Sequence, residues 1–365
     1  MAPFPILAIL LLFISARNLF KDIRDLKFCI TLYLIIFLSV LYSFATRSYI
    51  TDVSFYFPRL LGWLLFPISI ILFRNAIDSC NFKSLNKIIN VVLIIHLMFF
   101  FTQYLLFHVF NYRIDFLYSI IGETQRVGAT KLKEFGEASI RASGLFSEPG
   151  SYTVYIYIFV CIKILINKKI EIITGIALAS MLLSFSMSGI LLLVFILLYY
   201  LFFTKYSKNK VKSIFTGLIG LIIIIIYKAD IILGPIKERI LNLNQDVSVN
   251  QRYMGGYDYF FDNGFFLSGL GIGNLSPNIR GTSVILGGLY DLGIILLCLF
   301  LIVQIYYILK RGNIKNIFLL LPILASNISF NQVIYTLFIA FLAVNYNTSD
   351  EKKIICIANS STWRS

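Results

Sequence analysis

The sequence predicts an all-α polytopic membrane protein. Of its 365 residues 58% are apolar, 34 are Phe and 22 are Tyr, and the mean hydropathy is +0.83. An ordinary soluble domain is far less apolar than this. The apolar residues also fall into separate runs, several of which approach the roughly 20 residues that a helix needs to cross a bilayer. We therefore expect one integral-membrane helical domain over residues 1–346, followed by a cytoplasmic tail at 347–365.

Most of the apolar runs fit a single membrane span: 3–16, 28–45, 60–73, 88–110, 150–166, 213–227 and 282–309. The run 170–203 is too long for one span. Basic residues flank both of its ends, which requires an even number of crossings because Lys and Arg favour the cytoplasmic side. The run 316–346 is flanked in the same way. Each is predicted to be a hairpin of two short helices, turning near Ser184–Gly189 and at Asn327–Gln332, which gives about 11 spans in all.

The net charge of +14 follows from this topology. If the basic loop 17–27 is cytoplasmic, the excess of positive charge lies on the cytoplasmic side and the charges outside balance. This distribution argues against nucleic-acid binding. The two large loops, 111–148 and 228–281, then lie outside, and every cytoplasmic connection is short. We therefore expect function on the outer face.

The stretch Arg141–Tyr152, with the sequence RASGLFSEPGSY, joins the first large loop to the span that follows it. Ser147 is predicted to be the N-cap, with Glu148 and Pro149 in the first turn, where the missing N–H of proline costs nothing. The positive end of this helix, flanked by Arg141, suits a phosphate at a membrane surface. A well-capped transmembrane helix without a ligand explains the same residues equally well.

The two loops are rich in arginine, the side chain best suited to bidentate contact with phosphate oxygens. This pattern indicates an anion site, and ion pairs with the carboxylates of the same loops are the alternative. The arginines concerned are Arg113, Arg126, Arg141, Arg239, Arg252 and Arg280.

Several other residues are candidates for chemistry or for packing. Asp291 lies inside a span, where an unpaired charge would be costly, so we expect it to have a partner. Ser188 lies at the turn of the first hairpin, where small residues either contact a substrate or let two helices pack closely. His96 and Gln103 share a helix face and are expected to form interhelical hydrogen bonds.

Neither a metal site nor a nucleotide fingerprint is predicted. The chain has two histidines and no H-E-x-x-H motif. Gly269-x-Gly271-x-Gly273 follows no βαβ pattern, so a loop that re-enters the membrane explains it better.

Four stretches, in order over residues 141–293, resemble the O-antigen polymerase (Wzy) family and its O-antigen ligase relatives. Their order and spacing carry the resemblance, because each stretch alone is weak. The family's Arg-x10-Gly pattern is only approximated, as Arg252-x11-Gly264. The stretches are Arg141-x-x-Gly144-Leu-Phe-Ser-Glu148-Pro149, Ser186-Met-Ser188-Gly189, Asn250-Gln-Arg252 leading to Asn263-Gly264 and Gly269-Leu-Gly271-Ile-Gly273, and Leu289-Tyr-Asp291-Leu-Gly293.

The resemblance implies a metal-independent glycosyltransferase of the bacterial inner membrane with a periplasmic active face. It would join undecaprenyl-diphosphate-linked repeat units into O-antigen or capsule polysaccharide, without a cofactor and alongside a chain-length regulator and a flippase. In this hypothesis Arg141 and Arg252 contact the diphosphate, and Glu148 orients Arg141 or the acceptor hydroxyl. The weaker candidates for substrate binding are Arg126, Ser188, Arg239, Arg280 and Asp291.

Two other functions stay open. An O-antigen ligase is the more similar of the two alternatives. The ligases related to this family use a histidine in the large late periplasmic loop, and residues 228–281 contain none. A lipid-linked oligosaccharide flippase or other transporter is the second. Transporters tend to place ionisable residues near mid-membrane and to show paired halves, whereas the charges here cluster in the loops.

Overall fold

The protein is a bundle of α-helices, seen in a computed structural model of the chain. The structure describes residues 22–46, 53–125, 131–132, 139–203, 266–272, 283–326, 328–330 and 332–344. Within these ranges the strands are one short antiparallel pair, β1 (Lys131–Leu132) and β2 (Ser139–Ile140). The helices are α1 (Ile23–Thr46), α2 (Val53–Ser79), α3 (Phe82–Phe110), α4 (Phe116–Ile121), α5 (Pro149–Asn167), α6 (Ile172–Leu183), α7 (Met187–Phe203), α8 (Val284–Arg311), α9 (Ile314–Leu324) and α10 (Val333–Leu342).

Among these helices, α1, α2, α3, α5 and α8 are long and apolar enough to cross a membrane. Large apolar side chains such as Phe37, Met98 and Ile302 are exposed on the outside of the bundle. Helices that are apolar even on their outer face are typical of membrane spans. The prediction of a helical membrane protein is therefore confirmed, while the number of about 11 spans stays a prediction. The predicted spans 3–16 and 213–227 lie outside the described residues.

Three helices meet at one end of the bundle around the buried carboxylate of Asp25. This group accepts hydrogen bonds from Arg74 Nη1 (2.9 Å), Arg311 Nη2 (2.7 Å) and Tyr307 Oη (3.0 Å). Asp25 lies near the start of α1, whereas Arg74 and Arg311 lie near the ends of α2 and α8. Helix α1 is thus antiparallel to the other two. We call this end of the bundle the Asp25 end.

The same three helices are joined again at the opposite end. The hydroxyl of Ser39 on α1 donates to the backbone oxygen of Asp291 on α8 (2.8 Å), and Arg59 on α2 pairs with the Asp291 carboxylate (2.9 Å). Asp25 and Ser39 are separated by about 21 Å along α1, at 1.5 Å per residue. We call this second end the Asp291 end.

Helices α3, α5, α6 and α7 pack together as a second group. Near the Asp25 end, the fully buried amine of Lys163 on α5 binds Glu171 (2.7 Å) and Asn90 on α3. Toward the other end, the rings of Tyr152 and Phe100 stack at a centroid distance of 4.6 Å. Polar contacts at one level and aromatic contacts at the other fix the register of α3 and α5.

Each of the two runs predicted to be a hairpin contains two short helices, and their crossing of the membrane stays a prediction. Helices α6 and α7 are joined by a turn at residues 184–186, and α9 and α10 by the segment 325–332, of which residues 327 and 331 lie outside the described part. Helices α9 and α10 contain 11 and 10 residues. Each is about 15 Å long, roughly half the thickness of the hydrocarbon core, so neither crosses it alone.

An aromatic cluster packs the second hairpin, α9 and α10, against α2 and α8. The ring of Trp63 on α2 lies 5.3 Å from Phe300 on α8 and 5.9 Å from Phe330 in the α9–α10 connection. Phe330 also lies 5.2 Å from Tyr335 on α10. Buried aromatic pairs of this kind contribute stability beyond their buried area.

The predicted loops are described in part. Residues 126–130 and 133–138 of the loop 111–148 lie outside the described residues, and so does all of the loop 228–281 except 266–272. The predicted tail 347–365 is also outside them, and the extent of the domain 1–346 stays a prediction.

Candidate functional site

The turn at Arg141–Phe146 lies against the side of α3. Arg141 is only 7% exposed, and the three residues after it are buried as well. Gly144 has a φ of +58°, and a Cβ there would lie 3.3 Å from the backbone nitrogen of Phe100. A side chain at this position would therefore be strained and would crowd α3.

Two glutamine side chains hold this turn in place. Gln103 Oε1 on α3 accepts hydrogen bonds from the backbone N–H groups of Ser143 (2.8 Å) and Gly144 (2.9 Å). Gln103 Nε2 donates to Gln125 Oε1 (2.8 Å), and Gln125 Nε2 donates to the backbone oxygens of Gly144 (2.8 Å) and Phe146 (3.2 Å). Both amides are buried, and each of their polar atoms is satisfied, as buried polar groups require.

Asp115 anchors Gln125 from the other side. Its carboxylate caps α4 by accepting from the backbone N–H of Tyr118 (2.9 Å), and it also accepts from the backbone N–H of Gln125 (2.8 Å). The chain after α3 therefore folds back along that helix, and the ring of Phe116 reaches the ring of Phe99 at 5.0 Å.

The turn lies well below the end of α3. Gly144 packs at Phe100, whereas α3 continues to Phe110. At 1.5 Å per residue this places the turn about 15 Å along the helix from its final residue. The ring of Phe146 also lies 5.2 Å from His96, one further turn down the helix. The Arg141 turn thus lies beside α3, at the level where α5 begins.

The start of α5 differs from the prediction by one residue. The N-cap is Glu148, with φ −151° and ψ 152°, so the expectation that Ser147 would be the N-cap and that Glu148 would lie in the first turn is wrong. The physical reason is Pro149: proline fits the first helical position and forces the residue before it into an extended conformation. Glu148 accepts from Ser151 Oγ at 3.3 Å and is partly exposed.

Ser188 lies beside the first turn of α5. Its hydroxyl is 2.8 Å from Ser186 Oγ and 3.5 Å from Thr153 Oγ1. A Cβ on Gly189 would come within 2.7 Å of Thr153 Cγ2. The small residues of this hairpin turn therefore let α7 pack closely on α5, which is one of the two roles expected of them. Contact of Ser188 with a substrate stays a prediction.

Asp291 belongs to a different group of contacts. It is 1% exposed, and its carboxylate accepts from Arg59 Nη2 (2.9 Å), Arg59 Nε (3.1 Å) and Trp63 Nε1 (2.9 Å). The expectation that this intramembrane carboxylate has a partner is confirmed. The Arg59 side chain is 27% exposed, so it is the more accessible member of the pair.

Helix α8 is broken two residues after Asp291. Gly293 has φ 69° and ψ 172°, and the segment 266–272 packs against this break. Leu270 N donates to Tyr290 O (2.6 Å), and Ile294 N donates to Phe266 O (3.0 Å). These bonds satisfy backbone groups that the break leaves without helical partners. The segment 266–272 thus packs against a helix long enough to span the membrane, and the re-entry of this loop into the membrane stays a prediction.

Of the other predicted arginines, Arg113 is exposed in the segment after α3, whereas Arg126, Arg239, Arg252 and Arg280 lie outside the described residues. Of the predicted site residues that are described, Arg141 and Glu148 flank one short turn, and Ser188 lies near the helix that follows it. Asp291 is bound instead by α1 and α2. The grouping of Arg141 with Arg252 stays a prediction.

Sequence reasoning missed the residues that support both groups. The expectation that Gln103 would form a hydrogen bond to another helix is wrong, because it binds the loop backbone of the Arg141 turn. His96, on the same face of α3, lies against the rings of Phe146 and Phe159. A glutamine in an apolar run signals a need for partners but does not say which. For Asp291, the signal was the pair Arg59 and Trp63, four residues apart on one helix face.

Among the residues that the structure describes, no group of three or more His, Cys, Asp or Glu side chains could hold a metal ion.

The fold defines a helical membrane protein with a buried arginine turn beside α3, at the start of α5. Comparisons of the chain with protein-family models, curated proteins and solved structures found no match.

Proposed function

We propose that this protein is a polysaccharide polymerase of the bacterial inner membrane with its active face toward the periplasm. It would join undecaprenyl-diphosphate-linked oligosaccharide repeat units into O-antigen or capsule polysaccharide. The observation that carries the proposal is the buried Arg141 guanidinium in a turn that directly precedes the N-terminus of α5.

Burial makes this arginine a strong electrostatic group. A positive charge removed from water interacts with an anion far more strongly than it does at the surface. The N-terminus of α5, a few residues later, adds the positive end of a helix dipole. Both features favour a diphosphate, whose negative charge increases as it departs as a leaving group.

The transfer itself requires few groups. The acceptor hydroxyl oxygen would form a bond to the anomeric carbon of the donor, while the bond from that carbon to the diphosphate breaks. Undecaprenyl diphosphate would leave with the electron pair, and the hydroxyl proton would pass to a carboxylate, for which the partly exposed Glu148 is the candidate.

The position of the turn beside α3, below the end of that helix, suits a lipid-linked substrate. A polyprenyl chain stays between helices in the hydrocarbon region while its diphosphate reaches only as far as the polar groups at the membrane boundary. In this proposal the headgroup reaches the Arg141 turn, about 15 Å along α3 from its last residue, from the membrane side.

The test is to replace Arg141 and Arg252, singly, by alanine in a strain that lacks the chromosomal gene. We expect each variant to insert normally and to leave single repeat units on lipid A-core, because the diphosphate is no longer stabilised. Glycan length is read from a gel of the lipopolysaccharide. Full-length polymer from both variants would contradict the proposal.

Arg24→Ala is the matched control. This arginine is 57% exposed, pairs with Asp22 and lies at the Asp25 end, so its loss is expected to leave polymer length unchanged. A genetic test separates the alternative functions. Loss of a ligase leaves finished glycan on the undecaprenyl carrier, and loss of a flippase leaves units in the cytoplasmic leaflet.

A further inference from the structure

A chain of three polar side chains connects the segment after α3 to the Arg141 turn. Asp115 binds the backbone N–H of Gln125, Gln125 binds Gln103, and both glutamines bind the backbone of the turn. None of these contacts involves the Arg141 side chain, so their effect on it is indirect.

The hydrogen bonds determine the orientation of both amides. Gln103 Oε1 is occupied by two backbone N–H groups, so its Nε2 must face Gln125 Oε1. The Nε2 group of Gln125 must then face the backbone oxygens of Gly144 and Phe146. Turning either amide over would place oxygen against oxygen and nitrogen against N–H. Only one arrangement of this pair satisfies every group.

The turn depends on these side chains because residues 141–146 belong to no helix or strand. Their hydrogen-bonding groups cannot be satisfied by regular secondary structure, and side chains supply the partners instead. In a buried, low-dielectric environment such a fully satisfied network is rigid, and removing one member leaves several groups unsatisfied.

We propose that Gln103 and Gln125 are positioning residues for Arg141, an inference that rests on the proposed function. They hold the backbone two to five residues beyond Arg141 and so set the location of its guanidinium relative to the diphosphate. A displacement of about 1 Å at such a group is enough to reduce a rate by about a hundredfold.

The experiment uses the full-length protein in membranes carrying Gln103→Leu or Gln103→Glu. Hydrogen exchange of the peptide that contains Ser143 and Gly144 reports directly on the two backbone donors. We expect exchange at these amides to become faster in Gln103→Leu and the polymerisation rate to fall by about tenfold to a hundredfold. Arg141→Ala is measured in parallel.

The glutamate variant adds a readout that a purely structural role would not produce. An ionised carboxyl at position 103 still accepts from both backbone N–H groups but repels Gln125 Oε1 and Ile114 O, to which Gln103 Nε2 donates at 2.8 and 3.0 Å. Once protonated, it donates to one of them. The rate relative to wild type should therefore recover as the pH is lowered. Gln103→Leu should show no such recovery.

Gln304→Met is the matched control, because Gln304 is also a buried glutamine of a spanning helix but bonds to Tyr335 (2.9 Å). It should alter neither the exchange at Ser143 and Gly144 nor the rate. Unchanged exchange in Gln103→Leu would overturn the inference whatever the function. Faster exchange with a wild-type rate would also overturn it, provided that Arg141→Ala is inactive. A fully active Arg141→Ala would overturn the role proposed for Arg141, and the inference with it.

Discussion

Asp291 shows how a single residue in a membrane span is stabilised. Both of its carboxylate oxygens accept hydrogen bonds from Arg59, and Trp63 adds a third donor. A buried ion pair gains little over apolar residues of the same size, but removing one member leaves the other charge buried and unpaired. Loss of one partner is therefore costly whatever the net contribution of the pair.

We expect Asp291→Ala to lower the free energy of unfolding by about 3 kcal/mol, because Arg59 and Trp63 lose their acceptor. Thermal unfolding of the detergent-solubilised protein measures the change. The double variant Asp291→Leu with Arg59→Met should recover most of the loss, since no unpaired charge is left. A double variant no more stable than Asp291→Ala would show that the ion pair is not the cause.

At the scale of single elements, the break in α8 is the feature that most affects the fold near Asp291. The dihedral angles of Gly293 lie in a region that only glycine adopts readily. A Cβ on the facing Gly269 would lie 2.8 Å from the carbonyl carbon of Leu292, so the two chain segments meet backbone to backbone. The break and the segment 266–272 thus require each other.

Gly293→Ala is expected to destabilise the protein by about 3 kcal/mol, because alanine is strained at this φ and ψ and its Cβ would overlap the carbonyl of Leu267. Hydrogen exchange of the Leu270 amide, which donates to Tyr290 O, should become faster at the same time.

Gly175→Ala serves as the matched control within a helix. Gly175 lies in α6, and no atom lies within 4 Å of the position that its Cβ would take. The substitution should stabilise the protein by about 0.5 kcal/mol, because alanine favours the helical conformation. Destabilisation by both glycine variants would mean that the effect at Gly293 is not specific to the break.

At the scale of the whole molecule, two buried aspartates join the same three helices at opposite ends. Asp25 binds α2 and α8 at one end, and Asp291 binds α1 and α2 at the other. Between these two levels the contacts among the three helices are mainly apolar, and lipid offers apolar side chains an equally apolar environment. Directed polar contacts at both ends therefore decide how the helices are aligned.

The two aspartate clusters are expected to act independently. Asp25→Ala alone should cost about 3 kcal/mol, because Arg74, Tyr307 and Arg311 all lose an acceptor. Since the clusters are about 21 Å apart along α1, the double variant Asp25→Ala with Asp291→Ala should show the sum of the two effects within about 0.5 kcal/mol. Thermal unfolding of both single variants and the double variant tests this.

Asp78→Ala is the control for the charge alone. Asp78 is 40% exposed and pairs with Arg74 four residues earlier on the same helix, so its loss should cost no more than about 0.5 kcal/mol. If Asp78→Ala lowered the free energy of unfolding as much as Asp25→Ala, burial of the carboxylate would not be the reason for the effect at Asp25. A double variant much more stable than the sum would mean that the two clusters are coupled.

The amino-acid sequence by itself determined the class of fold, the positions of the long helices and the two hairpins. These features depend on local properties: the length of an apolar run, the basic residues beside it and the small polar residues at a turn. The start of α5 was displaced by one residue because the conformational effect of Pro149 on Glu148 outweighed the capping preference of Ser147.

Only the tertiary structure decided which polar groups meet. Asp291 required a partner, but the partner is Arg59, 232 residues earlier, and Gln103 binds a turn 40 residues later. A buried carboxylate or amide needs hydrogen-bond partners, and the residue type shows only that this need exists. Which residue becomes the partner depends on how the helices pack and how far the loops fold back. No local pattern in the sequence specifies these long-range contacts.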